Sequence, residues 1–192
     1  ERPSTQPIDI EAMHTRGAIT SEQLEAIRGA LNRREKILVV GPDASQRHAF
    51  CATLLTLIEG SNRVVCYGGL GLSLEQTAHV IALDRTALGE AGEALSDTVV
   101  ALEPSCVLMD TLTQDDLGEW VSIALSGQTG LIGSLAGREG EATIARAALA
   151  LDLSFGGSLG EKASALMRAS VDHLICLKEG EDGSFVVELS SI

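Results

Sequence analysis

The stretch Ile37-Leu38-Val39-Val40-Gly41-Pro42-Asp43-Ala44-Ser45-Gln46-Arg47-His48 decides the fold. Four apolar residues run into a glycine, and a second apolar stretch, Phe50 to Ile58, follows. This is the strand–loop–helix setting of a phosphate-binding loop, G-x-x-x-x-G-K-[ST]. Gly41 supplies the first glycine, but the last three positions hold Gln46, Arg47 and His48. Each replacement removes a piece of chemistry. A second glycine lets backbone N–H groups approach a phosphate, whereas Gln46 brings a Cβ and a long side chain. The motif's lysine is a compact charge, and Arg47 is a wider planar fork. A hydroxyl there ligates Mg²⁺, for which the imidazole of His48 is a poor substitute. The candidate cofactor-binding positions are therefore Gly41, Ser45, Gln46, Arg47 and His48, with weak or no nucleotide binding expected. Taken alone, the segment also reads as an ordinary strand-to-helix turn punctuated by Gly41-Pro42.

Outward from this segment, strands and helices alternate. Residues 1–7 are polar and proline-rich, and residues 1–18 are assigned to a linker ahead of a domain spanning 19–192. Thr20 and Gln23 are spaced as a capping box before Leu24, Ile27 and Leu31. Strand 36–41, helix 45–58 and strand 63–67 come next, then a glycine-rich stretch, a strand near 78–83 and helix 89–102. Strand 106–110 leads to a helix with Thr113 as its cap and Asp115 and Asp116 serving its dipole. Its Leu117, Trp120, Val121, Ala124 and Leu125 keep helical spacing, with Trp120 in the core. Strand 130–135, helices 140–152 and 160–169, and a hairpin of strands 171–178 and 183–190 complete the chain. The pattern is that of an α/β fold with a largely parallel central sheet.

Composition narrows the function. A net charge of −13 and a pI near 4.6 argue against nucleic acid or anionic membrane as partner, since both need clustered cations. No apolar run is long enough to span a bilayer. Cys51, Cys66, Cys106 and Cys176 are widely spaced and read as buried free thiols rather than disulfides or metal ligands. His14, His79 and His173 are isolated and read as structural or exposed. No metal site is expected. The chain opens at Glu1 rather than methionine, as a piece of a longer protein would.

The order of segments resembles the C-terminal nucleotide-binding domain of the traffic ATPases of type II and type IV secretion and Tad-pilus assembly. The likeness runs from about residue 8 to residue 190. The strand Arg63-Val64-Val65-Cys66-Tyr67 is similar to the family's Asp box, with Gly68 and Gly69 at its acidic positions. Pro104-Ser105-Cys106-Val107-Leu108-Met109-Asp110 is similar to its Walker B region, with Thr111 at the glutamate position and Thr113 at the arginine position. Ser126-Gly127-Gln128-Thr129-Gly130 and Ser134-Leu135-Ala136-Gly137 match the frame of its His box, with Gln128 and Ala136 in place of both histidines.

This resemblance implies a P-loop NTPase-like, RecA-like three-layer fold closed by a C-terminal β-hairpin. It also implies that the catalytic groups of the family are gone. ATP hydrolysis needs a metal clamp, a carboxylate for the water and charge on the γ-phosphate. The expectation is a pseudo-ATPase without catalytic residues, and without a cofactor or with ATP/ADP binding at most. Its role would be that of a scaffold or regulatory subunit. Its implied partners are proteins, either active traffic ATPase subunits or platform proteins, in an oligomer. Its implied place is cytoplasmic, peripheral to an inner-membrane complex. The alternative is a sensor that binds nucleotide without turnover. Arg47 and His48 are open to two readings, as anion ligands at a helix N-terminus or as solvated side chains. Ser45 is expected to cap that helix. Asp110, at a strand's C-terminal end, is either a ligand residue or a turn residue.

Overall fold

A computed structural model describes residues 6–58, 62–68, 79–86, 94–127, 130–180 and 185–192. Seven strands form one sheet in the order β3-β2-β4-β5-β1-β6-β7. They are β1 (Lys36–Gly41), β2 (Val64–Tyr67), β3 (Val80–Leu83), β4 (Cys106–Met109), β5 (Gly130–Ala136), β6 (His173–Glu179) and β7 (Phe185–Ser191). All neighbouring pairs are parallel except the C-terminal β6–β7 hairpin. The central strands are mostly apolar, with Ser134 the buried polar exception in β5, because helices cover both faces of the sheet.

Alternation along β1 shows the two cores. Leu38 and Val40 face one helical layer, and Ile37 and Val39 face the other. The first layer holds α4 (Leu95–Leu102), α5 (Asp116–Ser126), α6 (Gly140–Ser154) and α7 (Glu161–Ala169). The second holds α1 (Ile10–Thr15), α2 (Ser21–Asn32) and α3 (Ala44–Thr56). Trp120 is fully buried, and its indole N–H donates to Ser170 Oγ at 3.0 Å. A side chain at Gly133 would meet that indole at 2.4 Å, so glycine is the residue the packing admits there. The four cysteines are free and buried.

Several sequence expectations shift. The capping box forms as read, with Thr20 Oγ1 accepting from the Gln23 amide and Gln23 accepting from the Thr20 amide. Residues 8–18, assigned to the linker, instead pack on the domain. Ile10 and Met13 are buried, and Ile8 exchanges backbone hydrogen bonds with Thr53 Oγ1. The periodicity there is one turn long, too short to announce a helix. Thr113 is not a cap: its amide and hydroxyl both donate to Asp116 Oδ2, at 2.7 and 2.6 Å. The start of helix 89–102, residue 78 of the strand near 78–83 and the turn of the final hairpin at 181–184 lie outside the described residues. So do Gly69, Gln128 and Thr129.

Candidate functional site

The site lies at the C-terminal ends of β1 and β4, where open α/β sheets place ligands. Only Pro42 and Asp43 separate the end of β1 from the start of α3. A short turn follows from the cap. Asp43, not Ser45, is the N-cap: its carboxylate accepts from the Gln46 amide at 2.8 Å, and its carbonyl accepts from the Arg47 amide at 3.2 Å. Ser45 is exposed on the first turn, and Gln46 is half-buried behind it. Two of the amides that a phosphate cradle would present are therefore used by the helix itself. The exposed Asp43 carboxylate also puts negative charge at the end where an anion would seek the dipole.

Gly41 is closely packed. A Cβ there would meet Leu177 Cβ at 3.1 Å and Arg47 Cγ at 3.3 Å. Arg47 is neither solvated nor presented to solvent as an anion ligand: only 3% of it is exposed. Its Nη1 donates to the Gly41 carbonyl at 2.6 Å, while its Nε has no partner among the described residues. Burial pulls the guanidinium below its ordinary value, against the raising influence of Cys51, Asp110 and Asp43. The side chain folds back over the turn and fills it.

His48, one residue on, reaches across to β4. Its Nε2 is 3.1 Å from Asp110 Oδ1 and 2.8 Å from Thr111 Oγ1. Asp110 is buried, and desolvation raises its pKa against the opposing effects of His48, Thr111, Arg85 and Arg47. Thr111 has φ +41°, a left-handed conformation that is costly for a β-branched residue. Its neighbours hold it there. Its amide donates to Ser134 Oγ at 3.2 Å, and its carbonyl accepts from Arg85 Nη2 at 2.9 Å.

Arg85 is the residue that the sequence did not announce. Its Nη2 also donates to the Asp110 carbonyl at 3.0 Å, and its Nη1 is 3.0 Å from Asp116 Oδ2. Its guanidinium lies 5.2 Å from the centre of the Tyr67 ring. Gly68 makes this possible. At φ +101°, a Cβ there would lie 3.1 Å from Arg85 Nε and Nη2 and from the Asp110 carbonyl. Asp116 is thus a buried ion-pair partner and not a dipole residue on the surface.

Ala136 is exposed at the end of β5, where its carbonyl accepts from Arg146 at 2.8 Å. Among the described residues, no three His, Cys, Asp or Glu side chains gather as metal ligands. His14 pairs with Ser21 and His173 with Glu35.

The fold is similar to that of three solved ATPases. The VirB11 ATPase of the Brucella suis type IV secretion system, in complex with sulphate, matches with a TM-score of 0.77 and 19% identity, over 100% of this chain and 65% of that one. The Legionella pneumophila ATPase DotB matches at 0.68 and 13%, over 96% and 50% of the two chains. The pilus retraction motor PilT with bound ADP matches at 0.55 and 15%, over 85% and 50%. The chain thus spans between half and two thirds of these relatives. At such identities the likeness is one of fold. Comparison with protein-family models and with curated proteins finds no match.

Proposed function

We propose that this domain is a catalytically silent counterpart of the secretion and pilus ATPases, acting as a scaffold or regulatory subunit in such a machine. The observation that carries the reading is the self-filled loop. Arg47 occupies the turn, and His48 covers Asp110. Mg²⁺-nucleotide fits these residues poorly: the Gln46 and Arg47 amides are spent, the motif's lysine and hydroxyl positions hold Arg47 and His48, and Asp43 opposes an incoming phosphate. Thr111 stands at the position of the family's glutamate and has no carboxylate to orient a water. Function then falls to surfaces, with active ATPase subunits or platform proteins as partners in a cytoplasmic assembly. Among the described residues no helix is long and apolar enough to cross a membrane.

The second reading, a sensor that holds ATP or ADP without turnover, is favoured by one feature. The Ala44 and Ser45 amides at the head of α3 have no partner among the described residues.

Single-turnover ATP hydrolysis tests the reading. Wild type and the triple variant Gln46→Gly, Arg47→Lys, His48→Thr are compared. The variant is expected to bind nucleotide better and to hydrolyse it no faster. Turnover by wild type that Arg47→Ala abolishes sinks the proposal.

A further inference from the structure

β5 outruns its neighbour. β4 pairs with Gly130–Gly133 and stops at Met109, while β5 continues to Ala136. With α6 alongside, this leaves a groove on the surface beside the filled loop. It consists of two adjoining depressions of about 480 and 170 Å³ that share Ala136, Thr143 and Arg146. The larger has Arg138 on its rim. The smaller is walled by Leu112, Leu117, Leu135, Ala147 and Ala150. The larger depression thus carries Arg138 and Arg146 beside Glu139, and the smaller is mostly apolar with Arg146 at its edge.

What sets these two arginines apart is that both line one depression. Arg28, Arg33, Arg85 and Arg168 pair with carboxylates, whereas the exposed Arg16, Arg34 and Arg63, like Arg138 and Arg146, have no ion pair among the described residues. Arg138 and Arg146 are exposed, and among the described residues no carboxylate lies within ion-pair distance of either. Arg146 is nevertheless fixed in place. Its Nη2 donates to the Ala136 carbonyl at 2.8 Å and to Thr143 Oγ1 at 3.3 Å, which leaves Nε and Nη1 for another acceptor. A guanidinium held this way meets a carboxylate with little loss of side-chain freedom. Glu139, on the same rim, disfavours a multiply charged phosphate more than a single carboxylate.

We propose that this groove docks an extended segment of a partner protein, with an acidic side chain against Arg138 and Arg146 and an apolar side chain in the depression beside Leu117. A small anion would use only half of the site. The proposal deepens the scaffold reading by giving the scaffold a surface, and its test is independent of nucleotide. Hydrolysis reports on that reading; peptide binding reports on this one.

Fluorescence anisotropy of the whole chain with three labelled hexapeptides decides it: alternating glutamate and leucine, lysine and leucine, or glutamate and serine. The glutamate–leucine peptide is expected to bind saturably. Its affinity should fall about tenfold or more in Arg138→Glu/Arg146→Glu, and the glutamate–serine peptide should bind comparably weakly to wild type. Thermal melting checks that the double variant folds. If it does not, Arg138→Glu alone serves, because no described residue partners that side chain. Absence of binding by wild type at millimolar peptide overturns the proposal. So does equal binding of the lysine–leucine peptide, or affinity unchanged by the charge reversals.

Discussion

His48 Nε2 stands 3.1 Å from Asp110 Oδ1, so an imidazole from the head of α3 is bound to the carboxylate at the end of β4. In a nucleotide site a metal and its ligands would lie between such elements. Here one side chain spans the gap directly. The same logic operates one step further from the loop, where Arg85 ties the ends of β2 and β4 to the head of α5. Together the two contacts tie the C-terminal ends of β2 and β4 to the heads of α3 and α5.

Asp110 gives this closure a pH signature. Burial raises its carboxyl pKa in the folded state, so the fold holds that proton more tightly than the unfolded chain does. Its contribution is fully present below the ordinary aspartate range and is lost as pH rises through the raised value. Urea denaturation of wild type and Asp110→Asn across this window should give a stability difference that changes with pH, wild type losing ground as pH increases. A difference independent of pH contradicts the assignment.

Thr111 should reverse a familiar ranking. At an ordinary site alanine is more stable than glycine. At φ +41° a Cβ costs about 1 kcal/mol or more, so Thr111→Gly should be the more stable of the two variants by about that amount. Both lose the hydroxyl at His48, so their difference isolates the backbone. Denaturant midpoints with equal slopes measure it.

Arg85 and Asp116 should be coupled. Removing the guanidinium leaves a buried carboxylate with its Thr113 donors and the Tyr67 hydroxyl, and Arg85→Leu is expected to cost about 3 kcal/mol. Adding Asp116→Asn should recover part of that loss. Strict additivity in the double-mutant cycle would show that the pair does not interact.

Arg47 separates volume from charge. Arg47→Ala opens a cavity beneath the turn and is expected to cost about 2–4 kcal/mol. Arg47→Met keeps most of the volume and removes a guanidinium whose buried Nε has no partner among the described residues, so it should cost about 1 kcal/mol or less. Equal losses would mean that the bond to Gly41, and not filling, is what the residue supplies.

The framework was legible from sequence because it rests on local pattern. The run before Gly41, the Thr20–Gln23 box and the spacing around Trp120 each carry their own signal. The site was legible only in part. Gln46, Arg47 and His48 marked the place, but where their side chains go depends on β4 lying two strands from β1, which no local pattern states. Asp43 was passed over as cap because Ser45 is an equally good cap by type, and only the helix start distinguishes them. Arg85 follows a short edge strand with no motif. Its role exists because Gly68 leaves room for it, a relation between two strands that pair in space.

The most direct measurement is a calorimetric titration of Mg²⁺-ATP into wild type and Arg47→Ala, with thermal melting at the same concentrations. A ligand at 100 times its Kd would stabilise the fold by about 2.7 kcal/mol, well within detection. With the loop filled by Arg47 and Asp110 covered by His48, wild type should give no saturable heat and no rise in melting temperature at millimolar nucleotide. Micromolar binding by wild type that weakens in Arg47→Ala would contradict the account, because Arg47 would then be holding the ligand and not replacing it.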